Sequence, residues 1–429
     1  MLHMLRRRRR RGAASPLFSL SLVCMVMLSV SACDRAEPPS SPQPGLEPSA
    51  SLFGSTDVGG PLPDLTADQL ALFERGSIAF AVEFTPETGL GPLFNAAGCG
   101  NCHESPVLGG GGEAEEEEEG EAGEDIEVHA TAFSGGTCDL LTEEGGFVFQ
   151  KQATDALTAA LGIDQEEPSA RATAVAERTT SDLFGFGLLD AVPDFVIRSF
   201  ADPFDANGDG ISGRVHRTAD GRIGRFGRKA QVPRLSEFND EAFLVEMGIT
   251  NPSFPLEQFP GGAPGTPFPL DVDPTTEPEV SQADLDATNG FVRFLAPPRP
   301  LPLDAVGAKG FLIFLGIGCA KCHVPALPTG ASDVAALRYK LVYAYTDLLL
   351  HNMGPGLADI CVGNARPSEF RTEPLMGLRF ATSFLHDGRA TTVEEAILAH
   401  GGEAQRARDR FAALPDFYRN ALLTFLGSL

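Results

Sequence analysis

Cys319-Ala-Lys-Cys322-His323 and, 220 residues earlier, Cys99-Gly-Asn-Cys102-His103 are two copies of one pattern, C-x-x-C-H. In a chain of 429 residues with eight cysteines, two chance copies are negligible. The spacing has a mechanical reading. Thiols three residues apart sit on one helical turn, where each can add to a vinyl group of the same haem. The next residue then turns its imidazole toward the iron. A four-cysteine zinc site needs only the C-x-x-C pairs and leaves both histidines unexplained. The pattern therefore assigns one covalent haem to Cys99 and Cys102, with His103 on its iron. It assigns a second to Cys319 and Cys322, with His323 on its iron.

The start of the chain reads as an export signal. Arg6 to Arg11 form a basic run, and Leu17 to Val30 an apolar stretch too short to span a bilayer comfortably. Val30-Ser31-Ala32-Cys33 looks like a bacterial lipobox, which makes residues 1–32 a lipoprotein signal peptide and Cys33 the lipidated residue. A plain signal cleaved near Ala32 is the alternative. The protein is thus expected to be exported and periplasm-facing, on the inner or the outer membrane. The net charge of −25 excludes a nucleic-acid partner, because the only basic run lies in that signal. Without residues 1–32 the charge falls to −31, a surface that would steer a basic partner.

Composition and periodicity organise the rest. Residues 33–60 are rich in Pro, Ser and Gly and read as a flexible tether. Residues 61–300 form an N-terminal haem domain, with an acidic insertion at 109–128 that carries the run Glu115 to Glu119 and a loop-rich segment at 200–281. Residues 301–429 form a C-terminal haem domain. Helical periodicity is clearest at 282–295, 305–316, 392–400 and 406–426, and no region sustains the alternation of a strand. With 47 Gly and 33 Pro, long irregular connections are expected. The predicted fold is mainly α, with long irregular loops and little β.

Further motifs carry a resemblance. They include Leu183-Phe-Gly-Phe-Gly-Leu-Leu-Asp-Ala-Val-Pro193, Gly224-Arg-Phe-Gly-Arg-Lys-Ala230 and His351-Asn-Met-Gly354. Phe384-Leu-His-Asp-Gly-Arg-Ala390 and Glu395-Ala-Ile-Leu-Ala-His400-Gly-Gly-Glu-Ala404 follow. Together with the two haem motifs they resemble the bacterial di-haem oxidoreductase family. That family is related to the di-haem cytochrome c peroxidases and to the methylamine-utilisation di-haem enzyme. The resemblance spans roughly residues 65–429 and implies two cytochrome c-like haem domains and a peroxidase-type oxidoreductase. Hydrogen peroxide or another small oxidant would be its substrate, and a small soluble protein its electron donor. The competing readings are a non-catalytic electron carrier and an accessory redox partner of a metal-uptake or maturation system.

The resemblance also implies a sixth ligand for the second iron. In the di-haem peroxidases it comes from the end of the helix after the His-Asp-Gly element, which here is His400, fourteen residues beyond His386. Thr392 and Glu395 fit a capping box for that helix, and Gly401 fits its C′ position. The alternative for His400 is a surface histidine capping carbonyls. A bis-His iron would make this haem the electron store. The first haem would keep an exchangeable position, with His129, His216, Glu246 and Met247 as candidates for its distal side. His351 is read as a structural hydrogen-bonding group, and Met353 as an axial thioether or a core residue.

Three points stay open. Asp205, Asn207 and Asp209 alternate as side-chain oxygens do around Ca²⁺, but His216 stands where an EF-hand has Glu, so an Asx/Gly turn competes. Cys138 and Cys361 are left over, as a disulfide or as buried thiols. The chain has no Trp, and Arg228 stands where the family commonly has an aromatic, so a tryptophan relay between haems is excluded.

Overall fold

Gly76 and Gly290 let two helices meet backbone to side chain. The computed structural model describes residues 58–112, 126–259, 266, 268–269 and 271–429. The signal 1–32, Cys33, most of the tether and most of the acidic insertion lie outside the described residues. The helix Ala67–Phe80 opens on a capping box, Thr66 with Gln69. It crosses the helix Gln282–Phe294, whose cap is Ser281. A Cβ on Gly76 would stand 2.1 Å from the Ala287 carbonyl oxygen, and one on Gly290 would stand 2.5 Å from Leu72 Cγ. Any side chain at either place would force the helices apart. Phe291 fills the crossing, its ring centre 5.2 Å from that of Phe73 and 5.0 Å from that of Phe80. The short helix Cys99–Cys102 packs against this core.

A second crossing supports the second motif. The helix Ala305–Ile317 is capped by Asp304, which accepts from the Val306 and Gly307 amides at 3.0 and 2.8 Å. It lies against the helix Asp416–Leu426, and a Cβ on Gly310 would stand 1.9 Å from the Ala421 oxygen. Phe314, Phe411, Leu422 and Phe425 form the core between them. The turn Cys319–Lys321 follows directly, after Gly318. The stretch 406–426, expected as one helix, is two: Gln405–Ala412 and Asp416–Leu426. Pro415 separates them, because it has no N–H to give and its ring blocks the preceding turn.

Between the two helices of the first crossing the chain forms a sheet that the sequence reading does not anticipate. The strand Ile126–Ser134 turns through Gly135 and Gly136, both at positive φ, into Thr137–Asp139. It also pairs antiparallel with Val148–Phe149 and with Ala174–Thr179, in the register Ile126 to Thr179. Cys138 of this hairpin is bonded to Cys361, 223 residues away. A two-stranded ribbon, Leu350–Asn352 with Glu369–Arg371, places His351 opposite Phe370. Among the described residues no helix is long and apolar enough to cross a membrane.

Candidate functional site

The second motif opens on a cavity of about 320 Å³. Cys319, Cys322, His323 and His400 all line it. His323 follows the cysteine turn, and its Nδ1 meets the Tyr345 carbonyl oxygen at 2.9 Å. His400 arrives from the opposite side. The helix Val393–Ala399 carries the expected capping box of Thr392 and Glu395, worth about 1 kcal/mol, and stops with His400 as its C-cap residue. Gly401 is extended, so the left-handed residue that follows the helix is Gly402, at φ 52°. His400 Nδ1 meets the Ala396 carbonyl oxygen at 2.7 Å. With Nδ1 of each ring engaged by a carbonyl, Nε2 is the nitrogen each has left for a metal. The two ring centres lie 6.5 Å apart. Two imidazoles on one metal, at about 2 Å per bond, would place their centres about 6.3 Å apart. Burial holds both imidazoles neutral, His323 down to about 4 with help from His400.

Charges are fixed around this cavity. His351 Nε2 lies 2.9 Å from Asp347 Oδ2, and its Nδ1 lies 2.9 Å from Glu403 Oε2 and 3.7 Å from Cys322 Sγ. Burial opposes its protonation most strongly, but the Asp347 carboxylate and Cys322 together outweigh it and hold His351 well above the usual imidazole range. Glu403 answers it. Burial would raise its carboxyl, yet the bonds from His351 and Ser212 bring it down to about 2. Met353 also lines the cavity. On the far wall His386 stacks on Phe370 at 4.4 Å, and Lys229 Nζ sits 3.5 Å from the same ring. Lys229 pairs with Asp359 at 2.6 Å, and Arg178 pairs with the other oxygen of that carboxylate.

The cavity is lined by none of Cys99, Cys102 and His103, but it extends to residues that follow or touch the first motif. Ser105, Gly111, Gly112 and Thr179 to Asp182 belong to its wall, as does Arg228. Arg228 donates to the Thr179 carbonyl at 3.0 Å and pairs with Glu373 at 3.2 Å. His103 Nδ1 meets the Gly110 carbonyl oxygen at 3.0 Å, and the ring also bonds the backbone of Ser181. Around this motif the structure gathers carboxylates. Glu246 is half-buried and close enough to raise Cys99, and Glu127 is close enough to act on His103. Asn95 Nδ2 donates to Glu246 Oε2 at 2.8 Å. Burial, and then the Glu127 charge, push Glu246 well above the usual carboxylate range.

The candidate residues thus separate. His129 joins the cluster through Glu127, at 2.7 Å, and its Nδ1 is buried without a hydrogen-bond partner. Met247 is in the core behind Cys99, with Phe243 and Ile249. His216 is elsewhere, bonded to the Lys229 carbonyl at 2.9 Å and packed over Gly363. Glu127 is the residue missed by the sequence reading; its place beside His129 on strand Ile126–Ser134 depends on a strand that was not foreseen. Asp205, Asn207 and Asp209 lie in a turn where each side chain accepts a nearby backbone amide, and Asp209 also pairs with Lys321 at 2.8 Å.

The sequence model of the family described as "Di-haem oxidoreductase, putative peroxidase" matches residues 170–429. The chain belongs to this family. Haem is therefore its cofactor and redox chemistry its class of activity; the motif at Cys99 lies before the matched stretch. Among solved structures the chain is similar to hydrazine synthase of Kuenenia stuttgartiensis, at 13% identity over 92% of this chain and 100% of that one, with a TM-score of 0.39. It is similar to the di-haem peroxidase BthA of Burkholderia thailandensis, at 13% identity over 84% and 86%, with a TM-score of 0.38. A MauG-like protein associated with microbial copper homeostasis aligns at 15% identity over 56% of this chain and 89% of that one, with a TM-score of 0.29. No curated protein is matched.

The residues present fit the family's cofactor. At the second site two thiols, two half-buried neutral imidazoles and an apolar wall converge on one cavity. Burial pushes the Cys99 and Cys319 thiols up to about 12, so in the free chain both are neutral thiols, and sulfur in a thioether likewise carries no charge into the apolar pocket.

Proposed function

We propose that this member of the family is an exported, lipid-anchored di-haem c-type enzyme of peroxidase type. Cys99 and Cys102 would hold the first haem and Cys319 and Cys322 the second, each within a cytochrome c-like domain built on its own helix crossing. His103 would bind the first iron, and His323 with His400 the second. Bound haem supplies the electrons and an iron position at which a peroxide O–O bond can be cleaved.

One asymmetry carries this reading. His323 faces a second imidazole across the cavity, whereas the groups gathered at the first motif are the carboxylates Glu246 and Glu127 with His129. A half-buried Glu246, its carboxyl held well above the usual range, can give a proton to a leaving oxygen, and the Glu127–His129 pair can return one. Arg228 and Phe370 line the cavity, and the chain has no Trp, so a tryptophan relay has no place in this reading. The Cys138–Cys361 bond suits an oxidising compartment, and the acidic chain suits a small, basic, soluble electron donor.

The test is a pyridine haemochrome assay with intact mass, followed by optical titration with peroxide. Two covalent haems, one of them high-spin and responsive to peroxide, are expected. Two low-spin haems indifferent to peroxide would make the chain an electron carrier, and fewer than two haems would end the assignment.

A further inference from the structure

A second group of acidic residues lies away from both cysteine motifs. Glu257, Asp273, Glu277 and Glu279 each offer a carboxylate oxygen, and the four oxygens all lie within 4.8 Å of one another. Glu257 and Asp273 are only 6% and 7% exposed. Within the cluster Glu257 Oε1 is sealed from solvent with no hydrogen-bond partner. Glu257 is hydrogen-bonded to Glu277, and the charges that act on it, Glu277, Asp273 and Glu279, are all carboxylates. The sequence deepens the deficit, since Leu235 to Val292 contains eleven acidic residues and no Lys, Arg or His. Buried carboxylates without a counter-charge are costly, and folded chains supply a cation or protonate them.

We propose that Glu257, Asp273, Glu277 and Glu279 bind a calcium ion. Two oxygens on opposite sides of calcium stand about 4.8 Å apart, from bonds of about 2.4 Å, so four oxygens that all lie within that distance of one another can share one ion. The donors are all hard oxygens, so zinc and copper have no thiolate or imidazole to select them. Magnesium demands a tighter, near-ideal octahedron and gives up its waters reluctantly, whereas calcium accepts a flexible set of carboxylates. Two threonines hold the carboxylates in place. The Thr250 amide donates to Glu279 Oε2 at 2.7 Å, and Thr275 Oγ1 donates to Glu279 Oε1 at 2.7 Å and to Asp273 Oδ1 at 3.2 Å. Thr250 Oγ1 also bonds Glu277. The ion would pin the Pro-rich loop between the helices Leu235–Met247 and Gln282–Phe294. Residues of both helices, Phe243, Met247 and Leu285, share a small core with Cys99. The site is separate from the Asp205–Asp209 turn.

The experiment uses the haem-loaded chain, stripped with EDTA and titrated with calcium or magnesium, with bound metal counted by mass spectrometry and stability followed by thermal melting. One calcium per chain, a Tm that climbs with calcium concentration and a response to magnesium at least tenfold weaker are expected. Glu257→Gln with Asp273→Asn should melt no lower than the stripped parent, because repulsion is relieved, and should lose the calcium response. Asp209→Asn should keep it. If the double variant fails to fold, Glu277→Gln, at the exposed rim, should weaken calcium binding at least tenfold. A parent that takes up no calcium overturns the proposal, as does a response that survives in the Glu257/Asp273 variant, survives undiminished in Glu277→Gln or vanishes in Asp209→Asn.

Discussion

Asn95 and Glu246 are joined side chain to side chain, Asn95 Nδ2 giving its proton to Glu246 Oε2 at 2.8 Å beneath the first cysteine motif. The bond orients a carboxyl that burial keeps protonated, which is the state a general acid must hold before reaction. Glu246→Gln keeps an acceptor for Asn95 and removes the proton donor. Peroxide turnover should fall by about 10²- to 10⁴-fold, while haem content and the resting spectrum stay unchanged. Stopped-flow kinetics would show it, and a variant as fast as the parent would remove Glu246 from the mechanism.

The Cys138–Cys361 bond closes a loop of more than two hundred residues across the sheet hairpin. Crosslinks of this kind stabilise a fold by about 2–5 kcal/mol, mainly by restricting the unfolded chain. Replacing both cysteines by serine should lower the urea midpoint accordingly and leave the haem spectrum intact. A loss below about 1 kcal/mol would mean that the bond contributes little.

Calcium-free protein should lose stability as the pH rises. Burial raises Glu279 from 4.5 to about 7 and Glu257 to about 10. Above the ordinary carboxylate pKa the unfolded chain has released these protons while the folded chain still holds them. Folding therefore takes up protons in this window, and stability falls with pH until the folded groups ionise. Calcium displaces the protons, so it should flatten the slope. Glu166 and Asp182, also raised to about 7, act the same way with or without the ion, and the difference between the two series isolates the cluster. Melting curves from about pH 5 to pH 8 in EDTA and in calcium provide the comparison; parallel slopes would contradict it.

What could be read in the sequence was local. Cys99 to His103 and Cys319 to His323 are complete within five residues, and Thr392 and Glu395 announce the helix that presents His400. Pro415, the break within 406–426, was passed over because the helical periodicity runs across it. The strand Ile126–Ser134 was not, because its middle residues are covered on both faces and lack the alternation of a half-exposed strand. Lys321, which pairs with Asp209 from 112 residues away, and the carboxylates of 257–279 meet through long-range packing that no local pattern encodes. Glu127 became visible only with the strand that carries it.

His400→Ala measures the central claim most directly. The parent, in the ferric state, should show one low-spin haem with two imidazole ligands, observed by near-infrared magnetic circular dichroism or electron paramagnetic resonance. The variant should keep both haems attached, since Cys319 and Cys322 are untouched, and lose that signal in favour of a high-spin one. His400→Met should restore six-coordination and raise the potential of the same haem, because a thioether favours ferrous iron relative to a second imidazole. A His400→Ala protein that retains the parent's low-spin signal would contradict the account, and would send the search for the sixth ligand to Met353 and His351.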